Sequence, residues 1–171
     1  IALILKKNLN LLQFFCVWRT HNIIKMSETL ILIPSRLSAT RLKRKPLLKI
    51  NNLSLINHVY QNAIKSKIGD VYVVTGDKKI YLDVKKNGGK CVLTKQKHRS
   101  GTDRIFEGLK ILKKNKIKYV LNIQGDEPLL NISDIQNLNY QIVRKKQSIG
   151  TLVCKIENKL DFQNKNIVKV I

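Results

Sequence analysis

Short apolar runs alternate with longer amphipathic stretches from Met26 to the end of the chain. The runs are rich in β-branched residues and show little alternation of apolar and polar positions, which is typical of strands covered on both faces. The predicted strands are Leu30–Ile33, Val71–Thr75, Cys91–Leu93, Tyr119–Ile123 and Ile149–Ile156.

The stretches between these strands have helical periodicity. The first helix follows Asn51–Asn52, the second runs from Lys78 to Lys86 and is closed by Gly88–Gly89, and the third is capped by Thr102. The fourth begins at Asn131 or Ser133. The predicted buried positions are Leu55, Val59, Ala63 and Ile64 in the first helix, Ile105, Leu109 and Leu112 in the third, and Ile135, Leu138 and Ile142 in the fourth. Strands and helices in this order predict an α/β fold with a mainly parallel sheet and right-handed crossovers.

Polar loops follow three of the predicted strands, and a fourth polar cluster precedes the third helix. Ligands of open α/β sheets bind at the carboxyl ends of the strands. The loops are Ser35–Pro46, Thr75–Asp77 and Gln124–Pro128, and the cluster is His98–Arg104. We therefore expect a binding site at this edge of the sheet.

The first loop combines hydroxyl groups with cations that can neutralise a triphosphate and stabilise a leaving pyrophosphate. Its candidate ligand-binding residues are Ser35, Arg36, Ser38, Thr40, Arg41 and Lys45. Neither a Walker A loop nor a GxGxxG motif is present. Taken alone, the loop is equally explained as a solvated basic surface.

The loop Gln124–Pro128, with the sequence QGDEP, places adjacent carboxylates after an apolar strand, and its glycine is expected to permit a tight turn. Mg²⁺ is held by one or two carboxylates together with phosphate oxygens and water. Asp126 is therefore the predicted metal ligand. The alternative is an ordinary surface turn.

The cluster HRSGTDR offers hydroxyl and backbone groups to a pyrimidine edge, through Ser100, Gly101 and Thr102. The alternative is an N-cap box on the third helix, and the two interpretations are compatible. We interpret His98 as a hydrogen-bonding residue rather than a general base. For Asp77 we favour a cap on the second helix over contact with a nucleotide.

The chain has 171 residues and a formal net charge of +22, which makes nucleic acid an alternative partner. The cations are spread along the chain without interleaved aromatic residues, so a general enrichment in Lys explains the charge better, and no nucleic-acid partner is expected. Cys16, Cys91 and Cys154 are too far apart for a zinc site or a disulfide framework, which predicts a cytoplasmic protein. Cys91 and Cys154 are expected to be buried.

Residues 1–25 differ from the rest of the chain, since they contain no acidic residue and precede Met26, the only methionine. The apolar run from Leu9 to Trp18 is interrupted by polar residues and is too short to span a membrane. We interpret residues 1–25 as a non-native upstream extension and residues 26–171 as the folded part. No membrane association is expected.

The chain resembles the 3-deoxy-manno-octulosonate cytidylyltransferases, the CMP-Kdo synthetases of lipopolysaccharide synthesis, in the blocks LIPSRLSATRLKRKPL, VVTGD, HRSGTDR and NIQGDEP. The segment NKNIVKV at Asn164–Val170 resembles the same family. The resemblance implies a three-layer sandwich around a Rossmann-like nucleotidyltransferase sheet. It also implies a Mg²⁺-dependent reaction in which the anomeric hydroxyl of Kdo attacks the α-phosphate of CTP, giving CMP-Kdo and pyrophosphate.

By motif position, the resemblance implies that Arg36 and Lys45 hold the triphosphate and that Asp126 binds Mg²⁺; these are the expected catalytic residues. Gln124 would lie between nucleotide and sugar. The residues that would flank the cytosine are Ser100, Gly101, Thr102 and Arg104.

The chain departs from the resembled pattern where Lys43–Arg44 replaces a Pro-Gly pair, which alters the turn chemistry of the first loop. The resembled enzymes also continue into a segment that supplies Kdo-binding residues, a second metal-binding Asp and the dimer interface. We therefore expect a nucleotide-binding part, truncated and incomplete at the C-terminus, that does not turn over alone, and a homodimer for the full-length enzyme. The alternatives are another sugar nucleotidyltransferase and a basic nucleic-acid-binding module.

Overall fold

A computed structural model of the chain describes residues 3–6, 28–38, 42, 44–95, 97–165 and 167–169. Two sheets contain all strands of this part of the chain. The strands are β1 (Leu3–Lys6), β2 (Thr29–Ser35), β3 (Lys49–Ile50), β4 (Leu53–Ser54), β5 (Val71–Thr75), β6 (Cys91–Leu93), β7 (Tyr119–Asn122) and β8 (Ile149–Thr151). The helices are α1 (Leu55–Lys65), α2 (Lys78–Lys86), α3 (Gly101–Leu112), α4 (Ile132–Arg144) and α5 (Lys159–Gln163).

The main sheet has six strands in the order β6-β5-β2-β7-β1-β8. Strands β6, β5, β2 and β7 are parallel neighbours, as the alternation of strands and helices predicts. Strand β1 is antiparallel to both β7 and β8. The predicted α/β fold with a mainly parallel sheet is confirmed.

Strand β2 lies at the centre of the sheet, and alternate residues of it enter two separate apolar cores. Ile31 and Ile33 pack in the larger core with residues of α1, α2 and α4. Leu30 and Leu32 pack in the smaller core with Ile105 of α3 and its neighbours. Because both faces of the sheet are covered by helices, the fold has three layers, and an uninterrupted apolar run is what such a strand needs.

Several predicted elements are confirmed to the residue, while others need correction. Strand β5 and helix α2 have the predicted bounds. Ile64 was expected to be buried in α1 but is exposed, because its position lies beyond the edge of the buried face. The predicted strand at Ile149–Ile156 ends at Thr151, and Val153 beyond it is 66% exposed. No described strand pairs with the residues after Thr151, so their apolar character alone does not make them a strand.

Residues 1–25, interpreted above as an extension, contain β1, whose backbone pairs Leu3 with Asn122 of β7 and with Thr151 of β8. Most of this segment, and Cys16 with it, lies outside the described residues. Its interpretation as non-native stays a prediction.

The two described cysteines have different environments. Cys91 is half-buried in β6, and burial raises the pKa of its thiol to about 12. Cys154 was expected to be buried, but it follows β8 and is exposed. Within the described part of the chain, no helix is long and apolar enough to cross a membrane.

Candidate nucleotide-binding site

A cleft of about 700 Å³ lies at the carboxyl edge of β2 and β7, where the sequence predicts a binding site. It is lined by Pro34, Ser35, Arg36, Ser38, Leu42, Lys45, Pro46, His98, Arg99, Ser100, Gly101, Arg104, Gln124, Gly125 and Asp126. The cleft thus brings together three of the four polar segments. Thr102 does not line it, while Thr40 and Arg41 lie outside the described residues.

The first wall of the cleft is the loop that follows β2. Ser35 is buried at the end of the strand, while Arg36 and Ser38 are exposed. Beyond them a 3₁₀ turn, Lys45–Leu47, buries Pro46 and presents Lys45 to the cleft. Arg44, which precedes the turn, has the left-handed conformation (φ 57°) that glycine adopts most readily. Lys43 lies outside the described residues.

The second wall is the turn after β7. Gln124 accepts a hydrogen bond from the Glu127 amide, and Asp126 is exposed at the tip. The tight turn that was expected at Gly125 is present, since this hydrogen bond closes it. The φ of Gly125 is not left-handed, however, so close packing is what requires a glycine here. A Cβ at this position would stand 2.8 Å from the carbonyl oxygen of Pro34.

Lys45 and Asp126 join the two walls. The Nζ atom of Lys45 donates a hydrogen bond of 2.8 Å to Oδ2 of Asp126. The two side chains remain 37% and 52% exposed, so both are accessible to a ligand from solvent. A cation and a carboxylate therefore face the same space.

The third wall is the N-terminus of α3. Ser100, not Thr102 as predicted, is the N-cap, and its Oγ accepts from the Asp103 amide in a capping box. This confirms the N-cap interpretation of the cluster. The reason is that the carboxylate of Asp103, the N3 residue, accepts a hydrogen bond from the Ser100 amide. The residue three positions after Thr102 is Ile105, which has no side-chain acceptor.

Arg104, which is buried, and His98, which is half-buried, lie beside this wall. Arg104 is only 4% exposed and donates hydrogen bonds to Thr94 Oγ1 and to the carbonyl oxygen of Lys95. Burial lowers the pKa of its guanidinium, while the carboxylates of Asp77 and Glu107 act in the opposite direction. Nε2 of His98 lies 2.5 Å from a carboxylate oxygen of Glu107, which agrees with the predicted hydrogen-bonding role.

Comparison with known proteins identifies the family. Residues 30–171 match the family model for cytidylyltransferases. The chain belongs to the cytidylyltransferase family. The match includes all three walls of the cleft.

Relatives of the chain are named for the activity that the resemblance implies. The chain is 43% identical over 149 residues to the 3-deoxy-manno-octulosonate cytidylyltransferase of Thermodesulfovibrio yellowstonii. This alignment covers 84% of this chain and 58% of the relative. It is also similar to the solved structure of CMP:2-keto-3-deoxy-manno-octonic acid synthetase complexed with CTP. The sequence identity is 34% and the TM-score is 0.64, and the match covers 71% of this chain and 49% of that one. The chain thus spans about 58% of the length of that curated relative.

A more distant solved structure shares the fold alone. It is Rv0371c of Mycobacterium tuberculosis in complex with manganese, which is 10% identical, with a TM-score of 0.50 over 68% of this chain and 59% of that one. Within the described part of the chain, no group of three or more His, Cys, Asp or Glu residues is arranged to hold a metal ion.

The sequence pattern missed one part of the site, which is the connection between its loops. Asp77 was expected to cap α2, and it does occupy the N-cap position. Its side chain makes no cap hydrogen bond with the described helix backbone, and Oδ2 instead accepts from the amide of Leu37, 2.9 Å away. The sequence shows only that Asp77 follows a predicted strand, and this position does not reveal that Leu37 is its hydrogen-bond partner.

Proposed function

We propose that this chain forms the CTP-binding part of a Mg²⁺-dependent 3-deoxy-manno-octulosonate cytidylyltransferase. The complete reaction transfers CMP from CTP to Kdo, giving CMP-Kdo and pyrophosphate for lipopolysaccharide synthesis. The observation that carries the proposal is the meeting of Arg36, Lys45 and Asp126 at one cleft, in a chain 43% identical to an enzyme named for this activity.

The cations of the first loop have a direct role in this chemistry. When the anomeric hydroxyl of Kdo attacks the α-phosphorus, the bond from that phosphorus to the bridging oxygen breaks and negative charge accumulates on the departing pyrophosphate. Positive groups fixed beside the phosphates stabilise that charge more than they stabilise the ground state. Arg36 and Lys45 supply them, and Gln124 would contact the nucleotide and the sugar.

The donor set at Asp126 fits a divalent metal ion that arrives with the nucleotide. Mg²⁺ takes one or two carboxylates, phosphate oxygens and water, and Asp126 is a half-exposed carboxylate beside the cation Lys45. A bound Mg²⁺ would polarise the phosphate oxygens. Asp126 would hold it, and Lys45, released from Asp126, would be free to pair with a phosphate group.

The base would lie near the N-terminus of α3, where Ser100, Gly101 and Arg104 line the cleft. The Ser100 hydroxyl is engaged in the capping box, so backbone groups are better suited than this hydroxyl to read the cytosine edge. Thr102 is exposed outside the cleft lining, and its proposed contact with the base is the weakest of the set.

Nucleotide binding tests the proposal without requiring turnover by a chain that spans part of its relatives. Thermal unfolding would be followed with CTP, UTP, ATP or a DNA duplex, each with Mg²⁺ and with EDTA. We expect selective stabilisation by CTP with Mg²⁺, of about 2.7 kcal/mol when the ligand is at 100 times its Kd. Equal or greater stabilisation by UTP or ATP would indicate a different nucleotidyltransferase, and stabilisation by DNA alone would indicate a nucleic-acid-binding module.

A further inference from the structure

The carboxylate of Asp77 accepts a hydrogen bond from a distant loop and none from the helix that Asp77 begins. It is the N-cap residue of α2, a position where an aspartate side chain usually accepts a hydrogen bond from the first helical turn. Here Oδ2 accepts from the Leu37 amide at 2.9 Å, 40 residues earlier in the chain. The Asp77 amide donates to Oγ1 of Thr75, a fully buried residue at the end of β5. The carboxylate is thus held on a rigid strand end.

Leu37 is the residue that this carboxylate holds, and it lies between two residues of the cleft. Arg36 and Ser38 line the cleft on either side of it, while the Leu37 side chain packs against the larger core. A hydrogen bond to a charged acceptor fixes the orientation of a peptide plane more firmly than one to a neutral acceptor. Fixing the Leu37 amide therefore also fixes the directions in which its two neighbours leave the backbone.

Asp77 also has an electrostatic effect on Arg104, which lies in the third wall at the start of α3. Its charge favours the protonated guanidinium of the buried Arg104, whereas the nearby charge of Arg36 opposes it. The Asp77 carboxylate therefore offsets part of the repulsion that Arg104 experiences from Arg36. Asp77 itself does not line the cleft, so these effects reach the ligand only through other residues.

We propose that Asp77 is a positioning residue for nucleotide binding, because its carboxylate holds the Leu37 amide and thereby sets Arg36 and Ser38 at the cleft. This inference rests on the proposed function, since the ligand it serves is the triphosphate of CTP. It assigns a specific task to the VVTGD motif, whose aspartate does not line the cleft.

Two substitutions separate this role from helix capping. Asp77→Ser keeps a good N-cap residue for α2, but its side chain is too short to reach Leu37. Asp77→Asn keeps an oxygen that can accept from the Leu37 amide while removing the charge. Asp134→Ser is the matched control, because Asp134 is an exposed aspartate in the first turn of α4.

The first measurement needs no nucleotide. Amide hydrogen exchange of Leu37 is followed by NMR, with Ile31 in the interior of β2 as the internal reference for global stability. We expect exchange at Leu37 to be about tenfold faster in Asp77→Ser, with Ile31 unchanged, and to remain slow in Asp77→Asn and Asp134→Ser. Unchanged exchange at Leu37 in Asp77→Ser would overturn the proposal.

The second measurement is the Kd of CTP with Mg²⁺ by titration calorimetry. We expect Asp77→Ser to weaken binding about tenfold, and Asp77→Asn to restore most of the loss. If Leu37 is released but CTP binds with its original Kd, Asp77 is only a structural residue. If the unsubstituted chain does not bind CTP, the proposed function fails first, and the exchange data still report whether the Leu37 tether exists.

Discussion

Nζ of Lys45 lies 2.8 Å from Oδ2 of Asp126, although 81 residues separate them in the chain. Lys45 belongs to the loop after β2, and Asp126 belongs to the turn after β7. Because β2 and β7 are parallel neighbours, their carboxyl ends meet at one edge and bring these two loops together. The pair is also partly exposed, so it contributes little to stability and is available for exchange with a ligand.

Replacing Lys45 should affect ligand binding far more than folding. Lys45→Met removes the charge but keeps an apolar stem, and we expect the Kd of CTP to rise about tenfold or more, since a charge-assisted contact to phosphate is lost. The free energy of unfolding should change by less than about 1 kcal/mol. Calorimetric titration and urea denaturation measure the two effects. The control is Lys49→Met, which replaces an exposed lysine on β3. An equal loss of CTP affinity in this control would mean that only the overall positive charge matters.

Replacing Asp126 should have opposite effects with and without metal. In EDTA, Asp126→Asn should bind CTP a few times more tightly than the unsubstituted chain, because a carboxylate that repels phosphate and occupies Lys45 is gone. With Mg²⁺ it should bind CTP more weakly than the unsubstituted chain. The same calorimetric titration under both conditions checks this, with Asp134→Asn as the control. A metal enhancement of equal size in both chains would contradict the assignment of Asp126.

Gly125→Ala should destabilise the fold by about 1–3 kcal/mol, because overpacking forces the backbone apart. Its Cβ would meet the Pro34 carbonyl oxygen at 2.8 Å, and a backbone atom of a central strand cannot move aside as the end of a flexible side chain can. Urea unfolding followed by circular dichroism measures the loss. The matched control is Gly101→Ala, whose Cβ would be at an ordinary 3.4 Å from the Pro34 ring. Equal stabilities for the two variants would refute this account of Gly125.

Arg44→Gly should leave the protein about 1 kcal/mol more stable than Arg44→Ala, since alanine must keep the left-handed conformation and glycine adopts it freely. Both variants remove the same charge, so their difference isolates the backbone effect. Thermal unfolding of the two variants side by side provides the measurement. A more stable Arg44→Ala would show that the residue is not held at positive φ.

The loss of folding stability at acidic pH should depend in part on Asp70. Hydrogen bonds from Lys114 and then Lys90 hold the pKa of Asp70 below its ordinary value. A carboxyl group whose pKa is lower in the folded state stabilises the fold above its unfolded pKa, and this contribution is lost as the pH falls through the folded pKa. Asp70→Asn should therefore lose less stability than the unsubstituted chain below about pH 4. Urea midpoints between pH 7 and pH 3, with Asp134→Asn as the control, measure the difference.

The elements that the sequence predicts best are those whose signals are local. The buried run of β5 and the charged, glycine-terminated α2 have the predicted bounds, because strand burial and helix termination depend on neighbouring residues. The prediction failed after Thr151, where an apolar stretch has no described strand beside it, and at Cys154, which is exposed. Apolar composition predicts a buried strand only where the fold supplies a partner.

The sequence alone was sufficient to determine the α/β fold, the family resemblance and the loops that carry the cations and carboxylates, because periodicity and motifs are properties of short segments. The tertiary structure decided which of these groups meet. It paired Lys45 with Asp126, turned the Asp77 carboxylate away from its helix to Leu37, and made Gly125 necessary through the backbone at Pro34. Each of these contacts joins residues far apart in the chain, and its partner is set by the order of strands in the sheet and by the space between their ends.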